Sequence, residues 1–156
     1  MIHEFKNLKE DETSLMLMTP ALVTLLIAGA EGNVDQKEID WGSKITHFRA
    51  NEHTILQNYY QEIDKNFNET LKQLIEMMPK EVEERSKKIN QELSKLNSVI
   101  PKLDSDFAVE LYKSLLSLST QVAQASGGLW GYGSISPEEK KHLNLEVINP
   151  PKYKDG

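Results

Sequence analysis

The stretch LMLMTPALVTLLIAGAEGNVDQKEI, residues 15–39, decides the fold. Its first sixteen residues, Leu15 to Ala30, are apolar apart from two threonines. As a helix they rise about 1.5 Å each, roughly 24 Å in all, which falls short of a hydrocarbon core of about 30 Å. The Ala28-Gly29-Ala30 end mimics a signal-peptidase site, but the preceding segment carries Glu4, Glu10, Asp11 and Glu12 against Lys6 and Lys9. A secretory signal starts positive, so the run reads as a buried core helix. Thr19 before Pro20 has the form of an N-cap followed by proline at the first helical position, which opens a helix to about Ala30 that stops at Gly32. Being apolar nearly all round, it belongs at the centre of a bundle. Asp35 with Glu38 three residues on reads as a capping box. It starts a second helix that carries Ile39, Trp41, Ile45 and Phe48 to about Ala50, weakened by about 1 kcal/mol at Gly42.

Outward from this stretch, the same periodicity continues to the C-terminus. From Thr54 to Met78 the residues Tyr60, Ile63, Phe67, Leu71, Leu74 and Met78 step by threes and fours, one face of a long helix or of two collinear ones with a restart at Asn66. Pro79 reads as the opening of another helix with Ile89, Leu93, Leu96, Ile100 and Leu103 on a narrow stripe. The charges from Lys80 to Lys95 read as a solvated face with pairs such as Glu83–Lys87 and Glu84–Lys88. Asp104 or Asp106 caps a further helix, with Phe107, Leu111, Leu115, Leu118, Val122 and Ala125 inward, that ends at Gly127-Gly128. After a glycine-rich loop, Ser136-Pro137-Glu138-Glu139 opens a last helix over about 137–147. Asn149-Pro150-Pro151 ends it, and a frayed tail to Gly156 is expected. The domain organisation is thus a short segment 1–14, one helical domain over 15–148, and a tail 149–156.

Composition agrees with one soluble domain. The chain has 156 residues, 38% hydrophobic and 27% charged, and enough length for one core without staples. It has no cysteine, which excludes disulfides, thiolate metal sites and a cysteine nucleophile. Eighteen Lys+Arg against 24 Asp+Glu leave a net charge of −6, which argues against nucleic acid and anionic membranes and directs attention to another protein as partner.

The two ends also resemble each other. Ile27-Ala28-Gly29-Ala30-Glu31-Gly32 matches Val122-Ala123-Gln124-Ala125-Ser126-Gly127, and, past an insertion at 128–133, Asn33-Val34-Asp35-Gln36-Lys37-Glu38 matches Ser134-Ile135-Ser136-Pro137-Glu138-Glu139. Such hairpins cannot bury their apolar faces alone. The expected architecture is therefore an all-α single-domain bundle, with two pseudo-repeated hairpins packed against each other around longer central helices.

LLIAGAEGNVDQKEI at 25–39 and VAQASGGLWGYGSISPEEKKHL at 122–143 resemble the tellurite-resistance TerB-like helical proteins. The shared pattern is an apolar helix ending in alanine, an acidic residue and glycine, then an acid-capped helix, with a second copy near the C-terminus. The resemblance covers roughly residues 15–148. It implies an all-helical bundle in the bacterial cytoplasm, a divalent cation at the acidic turn and no known catalytic reaction. Carried onto this chain, the acidic positions are Glu31, Asp35 and Glu38. Glu31 stands where aspartate is usual, and Ser126, Ser134 and Ser136 stand at the matching places of the second copy.

Taken from the residues themselves, Glu31, Asp35 and Glu38 with Asn33 supply hard oxygens suited to Ca²⁺ or Mg²⁺. The spacing is not that of an EF-hand. The same residues also read as plain helix caps beside a solvated Glu31. Glu139 and His142 form an E-x-x-H step, half of a di-iron motif; without a second such step it reads as a surface pair. His47 and Asp40 lie seven apart on one helical face, with His53 near Glu52, and no catalytic motif accompanies them. Trp130 and Tyr132 in the glycine loop suit either a partner-binding anchor or a cover over the bundle end. The functional expectation is a non-enzymatic TerB-like module of a bacterial stress or defence pathway, with a divalent cation at Glu31, Asp35 and Glu38. The alternative is a metal-free interaction module using loop 128–133.

Overall fold

A computed structural model describes residues 2–126 and 135–153 of the chain. Seven α-helices and no strand occur among them: α1 (Glu10–Ala28), α2 (Gln36–Ala50), α3 (Gln57–Asp64), α4 (Phe67–Met77), α5 (Val82–Ser94), α6 (Ser105–Ser126) and α7 (Pro137–Lys140). The fold is an all-α bundle with α1 at its centre, packed against α2, α3, α4, α5 and α6. Every residue from Thr19 to Ala28 is buried, as a helix apolar on all sides requires. By length and composition α1 could cross a membrane, but most of it lies inside the bundle.

The start of α1 corrects the sequence reading. The helix begins at Glu10 and runs straight through Pro20, so Thr19 is no cap; its hydroxyl donates to the Leu15 carbonyl at 2.7 Å. An internal proline removes the N–H that the carbonyl four residues earlier would accept, at a cost of about 3 kcal/mol. Here that carbonyl is Met16, and the Tyr59 hydroxyl of α3 donates to it at 2.6 Å. Tyr59 is fully buried, and burial holds its pKa well above the ordinary tyrosine value, so the hydroxyl stays a donor. Its ring packs edge-on against Phe5, Tyr60 and Phe107. A tertiary contact thus replaces a helical one, and the proline is tolerated.

The middle of the chain is neither long nor central. The helices α3, α4 and α5 have 8, 11 and 13 residues, while α1 and α6 have 19 and 22. The restart at Asn66 occurs as read, and Phe67, Leu71 and Leu74 are buried. Pro79 does not open α5. It forces Met78 into an extended conformation (ψ 153°), and α5 starts later, where the Glu81 carboxylate accepts from the Glu83 and Glu84 amides at 3.1 and 2.8 Å. On α2, Ile39 and Ile45 are buried, whereas Trp41 and Phe48 are 40% and 66% exposed. The last helix is one turn long rather than reaching 147; turns carry the chain to buried Leu145 and Ile148. Both flanking segments join the bundle. Ile2 and Phe5 are in the core, the Asn149 amide donates to Asn97 Oδ1 at 2.8 Å, and the Tyr153 hydroxyl reaches Glu110 at 2.9 Å.

Candidate functional site

The turn after α1 is built by backbone demands. Gly29 closes the helix, and Gly32 takes a left-handed φ of 111°, which few other residues tolerate. The Asp35 amide returns to the Ala28 carbonyl at 2.9 Å, and the Asp35 carboxylate accepts from the Lys37 and Glu38 amides at 2.9 and 3.2 Å, capping α2. Only half of the expected capping box forms. The Asp35 amide is already committed to Ala28, so Glu38 is not needed for the cap.

Glu38 is instead buried, 3% exposed, against Glu139 of α7. Glu139 is also 3% exposed. At its own helix start the full capping box closes: Ser136 Oγ accepts from the Glu139 amide at 3.2 Å, and Glu139 Oε1 accepts from the Ser136 hydroxyl and amide at 3.1 and 3.3 Å. The third residue of each capped helix, matched in the sequence alignment of the two ends, thus meets its counterpart.

The electrostatics of this junction are one-sided. Burial pushes the Glu38 carboxyl far above the carboxylate range; the Glu139 hydrogen bond and charge raise it further, and Asp35 and Glu31 add to the effect. Glu38 Oε2 and Glu139 Oε2 are both buried and find no donor among the described residues. Held as the neutral acid, Glu38 can share its proton with Glu139; two ionised carboxylates would only accept, and a cation would have to take the proton's place.

The residues singled out from the sequence fare differently. Glu31 is exposed, Asp35 is spent on the helix cap, and only Glu38 turns inward. Among the described residues no group of three or more histidines and acids is arranged to hold a metal. Glu139, read as half of a surface pair, is in the interior, and His142 lies beyond the end of α7 with burial lowering its pKa. His47 pairs with Asp64 of α3 at 2.8 Å, a contact its spacing from Asp40 did not reveal. Trp130 and Tyr132 lie outside the described residues. Neither Glu83–Lys87 nor Glu84–Lys88 closes as an ion pair; Arg85, between them, is the buried member of that run.

No family model, curated protein or solved structure matches this chain. Its class is set by fold and site alone: an all-α bundle with a buried pair of carboxyls where two helix starts meet.

Proposed function

We propose that this chain is a non-enzymatic, TerB-like helical module of a bacterial stress or defence pathway, resident in the cytoplasm, that takes a divalent cation at the junction of α2 and α7. The working carboxylates are Glu38 and Glu139, with Glu31 and Asp35 adding negative potential from the adjoining turn. The observation that carries this reading is the pair of buried carboxyl oxygens that lack a donor. Acidic oxygens of this kind suit hard cations, and a cation shared by both carboxylates relieves their repulsion and gives each a partner.

Thermal unfolding of chelator-treated protein with Mg²⁺, Mn²⁺, Ca²⁺ or Zn²⁺ tests it. A cation at about 100 times its Kd adds roughly 2.7 kcal/mol of stability. The wild type should gain that shift, and Glu38→Gln and Glu139→Gln should lose it. Glu38→Gln should also stabilise the cation-free protein at neutral pH, since an amide donates to Glu139 without the proton that the wild-type carboxyl must hold. The absence of any cation-dependent shift would refute the site.

A second reading is a metal-free protein-interaction module, for which the sequence offers Trp130 and Tyr132. The exposed Trp41 and Phe48 on α2 favour it independently. A groove of about 610 Å³ between α2 and α4 is lined by Ile39, Leu71 and Ile75, and Lys44 on its edge sits over the Trp41 ring at 5.6 Å. Substituting Trp41 and Phe48 together, with loss of a protein partner and an intact cation response, would support it.

A further inference from the structure

At the end of α2 away from Glu38, a cleft of about 270 Å³ is lined by Arg49, Glu52, Tyr60 and Ser117. Pockets for drug-sized ligands run to roughly 300–1,000 Å³, so the occupant of this one is small. Two further charged residues on the cleft answer each other: Glu110 accepts from the Tyr153 hydroxyl at 2.9 Å and lies 3.7 Å from Lys113 Nζ. Arg49 and Glu52 do not. Both line the cleft, yet neither joins an ion pair among the described residues.

Arg49 is fixed through one nitrogen. Nη1 donates to the Tyr60 hydroxyl at 2.8 Å and to the Ser114 carbonyl at 2.9 Å, and the guanidinium carbon lies 5.2 Å from the Tyr60 ring centre. The Tyr60 hydroxyl donates in turn to Ser114 Oγ at 2.8 Å, because the Ser114 proton goes to the Leu111 carbonyl. This chain positions the guanidinium without neutralising it, and Nη2 and Nε hold no partner among the described residues. Two hydroxyls on the cleft are donors as well. Ser117 Oγ accepts from Gln121 at 2.7 Å and Thr54 Oγ1 accepts from the Leu56 amide at 3.1 Å, so each keeps its own proton to give. Ile55, 48% exposed, adds apolar surface to the same cleft.

A bare anion on these donors would meet the like charge of Glu52, and a bare cation on Glu52 would meet Arg49. A ligand that carries both charges on neighbouring atoms satisfies both residues. We propose that this cleft binds a free α-amino acid with an apolar side chain. Its carboxylate sits on Arg49, Ser117 and Thr54, its ammonium on Glu52, and its side chain against Ile55. The site is independent of the cation reading at the α2–α7 junction.

Calorimetric titration of the full chain with L-leucine, isocaproate and isoamylamine tests this, the last two being leucine without its ammonium and leucine without its carboxylate. Leucine should bind at least about tenfold more tightly than either, since each lost contact is a hydrogen bond to a charged group. Glu52→Gln should bring leucine down to the affinity of isocaproate while leaving isocaproate no weaker. Ser117→Ala should weaken leucine and isocaproate alike, by about threefold or more, and leave isoamylamine unmoved. Isocaproate binding as tightly as leucine would reduce the cleft to a plain anion site and overturn the proposal. So would a leucine affinity unchanged in Glu52→Gln, or no leucine binding by the wild type at millimolar concentration.

Discussion

Two polar breaks in the apolar interior are handled in opposite ways. Inside α1, Pro20 takes away the donor for the Met16 carbonyl, and Tyr59 supplies a replacement at 2.6 Å. At the α2–α7 junction, Glu38 and Glu139 are brought together, and one oxygen of each has no donor. The first break is closed within the fold. The second is completed only by a proton or a cation from outside. An unpaired buried polar group costs about 1–3 kcal/mol, so a pair kept unpaired is a candidate for work other than holding the chain together.

The largest effect expected from breaking this contrast falls on the closed site. Tyr59→Phe keeps the ring but leaves the Met16 carbonyl without its donor, and should cost about 1–3 kcal/mol in urea unfolding. Adding Pro20→Ala restores a backbone N–H for that carbonyl. The double variant should then lose less than the sum of the two single changes, by at least about 0.5 kcal/mol. Strict additivity would show that the hydroxyl does not stand in for the missing amide.

At the open site the expected sign is reversed. Glu38→Gln should stabilise the cation-free protein at neutral pH by at least about 1 kcal/mol, because the wild type must hold on Glu38 a proton that the unfolded carboxyl would release, and an amide donates to Glu139 without one. The linkage gives a pH signature. The Glu38 carboxyl moves from an ordinary 4.5 up to about 10 in the folded chain, so its contribution is full below 4.5 and is lost as pH rises toward 10. The wild type should therefore lose melting temperature from about pH 5 upward while Glu38→Gln stays flatter. Parallel profiles for the two would place Glu38 in water.

A smaller opposing effect belongs to His142, whose folded pKa is depressed below 6.5 by burial and then by Lys141. Its contribution is present above 6.5 and is lost as pH falls, so His142→Gln should soften the acid side of the profile. The smallest effect is expected at Phe48→Ser, on the open face of α2 at 66% exposure, where stability should change by less than about 0.5 kcal/mol. A loss of 2 kcal/mol or more would place that face inside the core.

Much of the fold was legible because burial follows periodicity. Ile89, Leu93, Leu96, Ile100 and Leu103 are all buried as their spacing predicts, although α5 ends at Ser94 and the last three follow on 3-10 turns and the loop after them, and the stop at Gly32 takes a left-handed φ. The errors have local causes. Pro20 looks like a helix start because its missing N–H is harmless there, and the sequence carries no sign that Tyr59, far along the chain, would supply a donor. Trp41 and Phe48 share a hydrophobic character with Ile39 and Ile45, but only the placement of α2 on the bundle decides which of them faces water.

The candidate site divides in the same way. Asp35 as a cap was readable from its spacing, since capping is a contact within one turn. Glu139 carried a signal in its match to Glu38, but the meeting of the two is a contact over about a hundred residues of chain. Arg85 carried none: in a run of mixed charges nothing distinguishes the one guanidinium that donates to the Gly29 and Gly32 carbonyls of the turn. By itself, then, the amino-acid order determined the helices, most of their inward faces and the acidic turn, because these depend on neighbours three and four residues apart. Only the tertiary structure decided which carboxyls oppose each other, which proline is rescued and which arginine holds the turn. Those outcomes depend on distances between helices, and no local rule encodes them.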